Sequence, residues 1–138
     1  MDPQLLKDAE ALLPRMVELR RRIHRHPELG LDLPLTKAAV LEALDGFDLA
    51  IEESPGSSGL VATLEGEKPG PTLILRGDMD ALPMPEDSGV DFRSEIEGAM
   101  HACGHDAHTA MLAAAVELLD ARRSALHGRV KFMFQPGE

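Results

Sequence analysis

The segment GAMHACGHDAH, from Gly98 to His108, places three histidines, one cysteine and one aspartate within the eight positions His101 to His108. A soft thiolate, borderline imidazoles and a hard carboxylate together make a donor set for a divalent metal. Cys103 and His105 flank Gly104. A tight turn at that glycine, which tolerates unusual backbone angles, would aim both side chains at one ion. A helix starting just beyond, near Asp106, would present free N–H groups that favour the Cys103 thiolate. The competing reading, a chance cluster of loop residues, sits poorly with this density of donors.

Two further acidic positions bear on the same chemistry. Asp78 and Asp80 follow an apolar run in RGDMDALP. Spaced by two, they share one face if the strand persists, and at the carboxyl end of a strand that face looks toward a site. Paired carboxylates there could orient a ligand histidine or act with a metal. A polar strand end with an Asx turn is the equal alternative. Glu138 follows another strand and a Pro-Gly turn, a place where a carboxylate can serve as general base. Spacing alone gives it no role.

The elements that must position these groups are read from periodicity. Leu5, Leu6, Ala9, Leu12, Leu13, Met16, Val17, Leu19 and Ile23 predict a helix over Gln4–His26, kinked or split at Pro14 and stopped by Pro27. Arg20, Arg21 and Arg22 fall in its last turn, where cations suit the helix dipole, and read as a solvated face. A second helix starts near Pro34 or Thr36, runs to about Leu44 and closes at Gly46. Short strands follow at Phe47–Glu52, Gly59–Leu64 and Thr72–Arg76. The last two look half or fully buried. The turn-rich residues 66–71 between them read as a hairpin or meander connection. Met111, Ala114, Ala115, Leu118 and Leu119 share one face of a helix over Asp106–Ala121, and Val130–Phe134 is a further strand. Thr72–Arg76 and Val130–Phe134 are expected at the centre of one sheet. The order predicts an α/β fold, a mixed sheet flanked by helices.

The chain has 138 residues, 43% of them hydrophobic and 28% charged, in the range of one globular domain. Its formal charge of −10, with no basic patch interleaved with aromatics, disfavours nucleic acid and anionic membrane as partners. Apolar runs are far shorter than the ~20 residues that span a bilayer, and the start, Met1 and Asp2, has no leader-like apolar stretch behind it. With a single cysteine, Cys103, no internal disulfide can form. A cytoplasmic setting is expected. The residues stop at Gln135, Pro136, Gly137 and Glu138, at the carboxyl end of a strand where a site would form, so the chain is expected to be an incomplete one.

RRIHRHPELG, RGDMDALPM, MHACGHDAHTAML and FMFQPGE, in this order, resemble the metal-dependent amidohydrolase family of hippurate hydrolases, auxin-conjugate hydrolases and N-acetyl-diaminopimelate deacetylases. That family is a branch of the aminoacylase and carboxypeptidase-type metallopeptidases. The likeness runs through nearly all of residues 15–138, and MHACGHD is its most specific string.

The resemblance implies that residues 1–138 are the N-terminal portion of a zinc-peptidase-like catalytic domain, with a smaller dimerisation or lid domain and a C-terminal part outside them. It implies that Cys103 and His105 are metal ligands, that Asp80 or Asp78 belongs to the aspartate region at the catalytic centre, and that Glu138 is the general base. It implies two divalent ions in a complete site, for which zinc, manganese, cobalt and nickel all suit the ligand types. The reaction would be hydrolysis of an N-acyl amino acid into a carboxylic acid and an amino acid, the metals polarising the carbonyl and Glu138 moving the proton. The pairing surface of a homo-oligomer would lie outside these residues. Further ligands that the family carries downstream are not among residues 1–138, so these residues alone are expected to be inactive. The rival expectation is a non-catalytic short product, or one half of a split hydrolase that needs a complementary chain. His24, His26, Pro27 and Glu28 match a family motif read as shaping the fold near the site.

Overall fold

The computed structural model describes residues 3–138. Met1 and Asp2, where the leader-free start is read, lie outside the described residues. Helix α1 spans Pro3–Arg25 and α2 Pro34–Ala43. Strands β1 (Ala50–Glu53), β2 (Leu60–Glu65) and β3 (Lys68–Asp78) follow, then α3 (His105–Asp120), a 3-10 turn at Arg123–Ala125 and β4 (His127–Gln135). Among the described residues no helix is long and apolar enough to cross a membrane.

Helix α1 runs unbroken through Pro14, so it is not split there. Loss of one backbone hydrogen bond at a proline is tolerated where the rest of the helix is packed. Here α1 lies along α3, tied to it by Arg15 and Glu117 at 2.9 Å and by Arg20 and Asp106 at 2.9 Å. That second pair also changes the reading of the arginine run, because Arg20 reaches a fully buried carboxylate. Helix α2 begins with Pro34 and has no side-chain cap from its own N-cap residue. Glu28 does that work from outside, accepting the N–H of Leu35 at 3.0 Å and of Thr36 at 2.8 Å. A carboxylate at this end satisfies orphan donors and matches the helix dipole.

The four strands form one mixed sheet in the order β1-β2-β4-β3. β1 with β2 and β2 with β4 are antiparallel; β3 with β4 is parallel, the pair that α3 connects. In register, Leu60, Ala62 and Leu64 of β2 stand opposite Phe134, Phe132 and Val130 of β4. All six are buried, and they share the core with Val40 and Leu44 of the α2 region and Leu112, Ala113 and Val116 of α3. Alternation along β4, with Val130, Phe132 and Phe134 buried and their neighbours half-exposed, is the mark of a strand covered on one face.

Three expectations are corrected. Residues 66–71 make no hairpin: β4 inserts between β2 and β3, and most of the supposed turn, from Lys68, belongs to β3 with a register shift before Thr72. Of the two strands expected at the centre, β4 is there while β3 lies at the edge, with Leu73 55% and Ile74 58% exposed rather than buried. An apolar run records that a strand can be buried on both faces, not whether these residues supply the cover. The first strand begins at Ala50, not Phe47, and is exposed throughout.

Candidate metal centre

The two parallel strands and the start of α3 converge at one end of the sheet, at the carboxyl ends of β3 and β4. This is where sites form in open sheets with parallel crossovers. β3 delivers Asp78 as its last residue, the chain beyond delivers Asp80, β4 leads through Pro136 and Gly137 to Glu138, and α3 opens with His105. Close packing of strand on helix has a local cause. A Cβ at Gly77 would stand 3.0 Å from the carbonyl oxygen of His108 and 3.1 Å from Leu112, so a larger residue there would have to push α3 away by a few tenths of an ångström. Gly104, with φ +83°, makes the turn that launches α3.

His105 is buried and its ring is fixed from behind. Nδ1 donates to the backbone carbonyl of Asp80 at 2.8 Å. A carbonyl only accepts, so the proton sits on Nδ1 and Nε2 carries the lone pair in the neutral ring. Nε2 faces Glu138 Oε2 at 3.2 Å. Two acceptors at that distance call for a cation or a proton between them. Asp80 is buried as well; its Oδ1 accepts the backbone N–H of Glu138 at 3.2 Å and lies 3.5 Å from His105 Nδ1. Asp80 thus ties the His105 and Glu138 positions together. Thr109 Oγ1 donates to the carbonyl of Asp78 at 2.9 Å, pinning the end of β3 to α3.

One donor atom each from Asp78, His105 and His108 lies within 4.8 Å of the others. A carboxylate and two imidazoles so placed fit a divalent ion such as zinc, manganese, cobalt or nickel. His108 Nδ1 is 3.5 Å from Asp78 Oδ2, and the His105 and His108 rings stack with centroids 5.5 Å apart. Arg76 completes the surroundings, its guanidinium 2.6 Å from Asp78 Oδ1 and 3.9 Å from Glu138 Oε1. A cavity of about 380 Å³ opens beside Asp78 and His108, lined by Leu75, Arg76, Met111 and Leu112.

Asp78, Asp80, His105 and Glu138, expected from the sequence to work together, are therefore neighbours. Cys103 is exposed and outside the three-residue donor group. His108 had no assigned role, although its i, i+3 spacing from His105 puts the two rings on one helix face. His101 is the other surprise. It is buried, neither ring nitrogen has a partner, and its pKa is pushed down to about 4, chiefly by burial, against the opposing pull of the Asp106 carboxylate.

Residues 74–138, which contain all of these groups, match the model of Peptidase family M20/M25/M40. The chain is 40% identical over 136 residues to thermostable carboxypeptidase 2 of Saccharolobus solfataricus, covering 98% of this chain and 35% of that protein. It is 38% identical over 130 residues to N-acetylcysteine deacetylase of Bacillus subtilis, covering 94% of this chain and 34% of that one. A crystal structure of a Bacillus subtilis protein described as a dinuclear metal binding peptidase from the M20 family superposes with a TM-score of 0.88 at 38% identity, over 94% of this chain and 36% of that chain. The chain thus spans about a third of the length of the relatives it matches. With the strand ends, the opening of α3 and their donors falling inside the matched residues, the chain belongs to peptidase family M20/M25/M40.

Proposed function

We propose that these residues supply one wall of the active site of an N-acyl amino-acid amidohydrolase, releasing a carboxylic acid and an amino acid. The observation that carries the reading is the facing of His105 Nε2 and Glu138 Oε2 at 3.2 Å, with Asp80 behind both. His105 would hold a divalent ion, together with Cys103 and with Asp78 and His108 at hand, and a complete site would hold two ions of zinc, manganese, cobalt or nickel. Bound there, the metal supplies Lewis-acid polarisation of the scissile carbonyl. Glu138 takes the proton from the attacking water and returns it to the leaving amine. Asp80 keeps His105 in the tautomer that leaves Nε2 free, and Asp78, held by Arg76, sets the charge beside it. The relative that deacetylates N-acetylcysteine supports a small N-acylated amino acid as substrate. A reducing, cytoplasmic setting suits the exposed thiol of Cys103.

A catalytic zinc usually takes about three protein ligands and a water. Cys103 and His105 alone fall short of that for two ions, so residues 1–138 by themselves are read as inactive. The test is release of amino acid from hippurate and a panel of N-acetyl amino acids, with added Mn²⁺ or Zn²⁺, by residues 1–138 and by a protein in which they are joined to the remaining two thirds of a relative. Metal-dependent hydrolysis in the joined protein, lost in Glu138→Ala and Cys103→Ala, is expected. Turnover by residues 1–138 alone, or full activity of the joined Glu138→Ala protein, overturns the reading.

A further inference from the structure

Away from the metal donors, α1 carries a second cluster of buried ionisable side chains. His24, in its last turn, bridges two carboxylates: Nδ1 lies 2.7 Å from Asp106 Oδ2, and Nε2 lies 3.1 Å from Glu86 Oε1. The side chains of His24, Glu86 and Asp106 are 5%, 3% and 0% exposed, so the contacts are shielded from water. The two carboxylates belong to different parts of the chain. Asp106 is in the first turn of α3, directly after His105. Glu86 is in the irregular segment 79–104, which joins β3 to α3 and carries His101 and Cys103.

Regular structure does little to hold that segment. It holds no helix or strand, only the isolated bridges of Leu82 with Met100 and of Ala81 with Leu29 and a few turn hydrogen bonds. Other anchors run to the last turns of α1. Glu95 N donates to the carbonyl of Arg25 at 2.8 Å, and Phe92 meets the His24 ring edge-on at 5.2 Å. Arg20 and Arg21 lie over the Phe92 ring at 5.5 and 4.7 Å. Glu86 in turn organises its own loop, accepting the N–H of Ser94 at 2.6 Å. On the α3 side, Arg20 Nε donates to the same Asp106 oxygen that His24 contacts, at 2.9 Å. His24 thus hydrogen-bonds to both the loop and the helix, beside Arg20, which reaches Asp106 and the Phe92 ring.

We propose that His24 is a positioning residue that clamps Glu86 of segment 79–104 to Asp106 of α3 and so fixes Cys103 and His105 relative to Asp80 and Glu138. This rests on the reading of Cys103 and His105 as metal donors. The geometry explains why an imidazole is needed. Its two nitrogens point in divergent directions, so it can reach two carboxylates on opposite sides; an amide side chain of similar length has both polar atoms at one end and loses one partner.

The experiment compares the unaltered chain with His24→Gln, with Glu86→Ala, which frees the loop but leaves the His24 contact to Asp106, and with His105→Ala. Four quantities are read: melting temperature, hydrogen exchange of residues 86–104, Mn²⁺ affinity by calorimetry, and the cobalt–thiolate absorption that reports Cys103 sulfur on the ion. Both clamp variants are expected to stay folded, to exchange faster across residues 86–104, to lose thiolate absorption and to bind Mn²⁺ about 10- to 100-fold more weakly, the usual effect of losing a group that orients ligands. A residue that only stabilises the fold would lower the melting temperature and leave affinity and absorption of the folded chain unchanged; that outcome overturns the proposal. If His24→Gln does not fold, Glu86→Ala decides by the same readings. If His105→Ala binds Mn²⁺ as well as the unaltered chain, the metal reading fails by itself, and unchanged or faster exchange of residues 86–104 then rejects or upholds the clamp.

Discussion

The Nδ1 proton of His105 is committed to the backbone carbonyl of Asp80, at 2.8 Å. A main-chain acceptor cannot ionise or swing away as a carboxylate can, so the free nitrogen is aimed by the fold itself. His105→Ala should therefore abolish Mn²⁺ and Zn²⁺ binding, while His108→Ala, which removes a half-exposed ring, should weaken it. Calorimetric titration of the two variants checks the order; equal losses, or a larger one at His108, would contradict it.

Phe132 is fully buried in β4, whereas Ile74 on edge strand β3 is 58% exposed. Phe132→Ala should cost about 3–5 kcal/mol of stability and Ile74→Ala about 0.5 kcal/mol or less. Urea unfolding of both, side by side, tests the strand order.

The caps of α2 come from one distant carboxylate. Glu28→Ala leaves the N–H groups of Leu35 and Thr36 without their partner, and a cost of about 1 kcal/mol is expected. The melting temperature should fall by about 2–8 °C for a chain of this size. A loss no greater than that of an ordinary surface glutamate would show that solvent replaces the cap.

Glu86 also has a pH signature. Burial alone would raise its carboxyl, but hydrogen bonds from Ser88, from the Ser94 N–H and from His24 outweigh that and bring the pKa from 4.5 down to about 2. A carboxylate lowered on folding stabilises the native state above its unfolded pKa. That contribution should disappear as pH falls from about 4.5 through about 2. Urea midpoints across that window should drop more steeply for the unaltered chain than for Glu86→Gln.

Much of the helix content was legible because its signal is local. The apolar face of α3 and its glycine start lie within one stretch, and α3 appears within a residue of the expected limits at both ends. Strand order was not legible. The apolar run Thr72–Arg76 has the same composition whether it ends at a sheet's edge or centre, and nothing near residues 66–71 announces that β4 will fill the place beside β2. At the site, the Cys-Gly-His spacing pointed to His105, but Asp80's hold on it crosses 25 positions. His24 was farther out of reach, since its two carboxylates are 62 and 82 positions away.

The position of β4 between β2 and β3 also dictates the order of assembly. As the chain is made, β2 and β3 emerge first but cannot pair with each other in the native sheet, because each forms its ladder with a strand synthesised some sixty residues later. Until then β2 offers β4's place to any passing strand, and pairing so distant in sequence closes slowly. The strand that carries Glu138 into the site is thus also the one whose arrival turns two waiting edges into a single sheet. Closure of this four-stranded sheet and placement of Glu138 become one event.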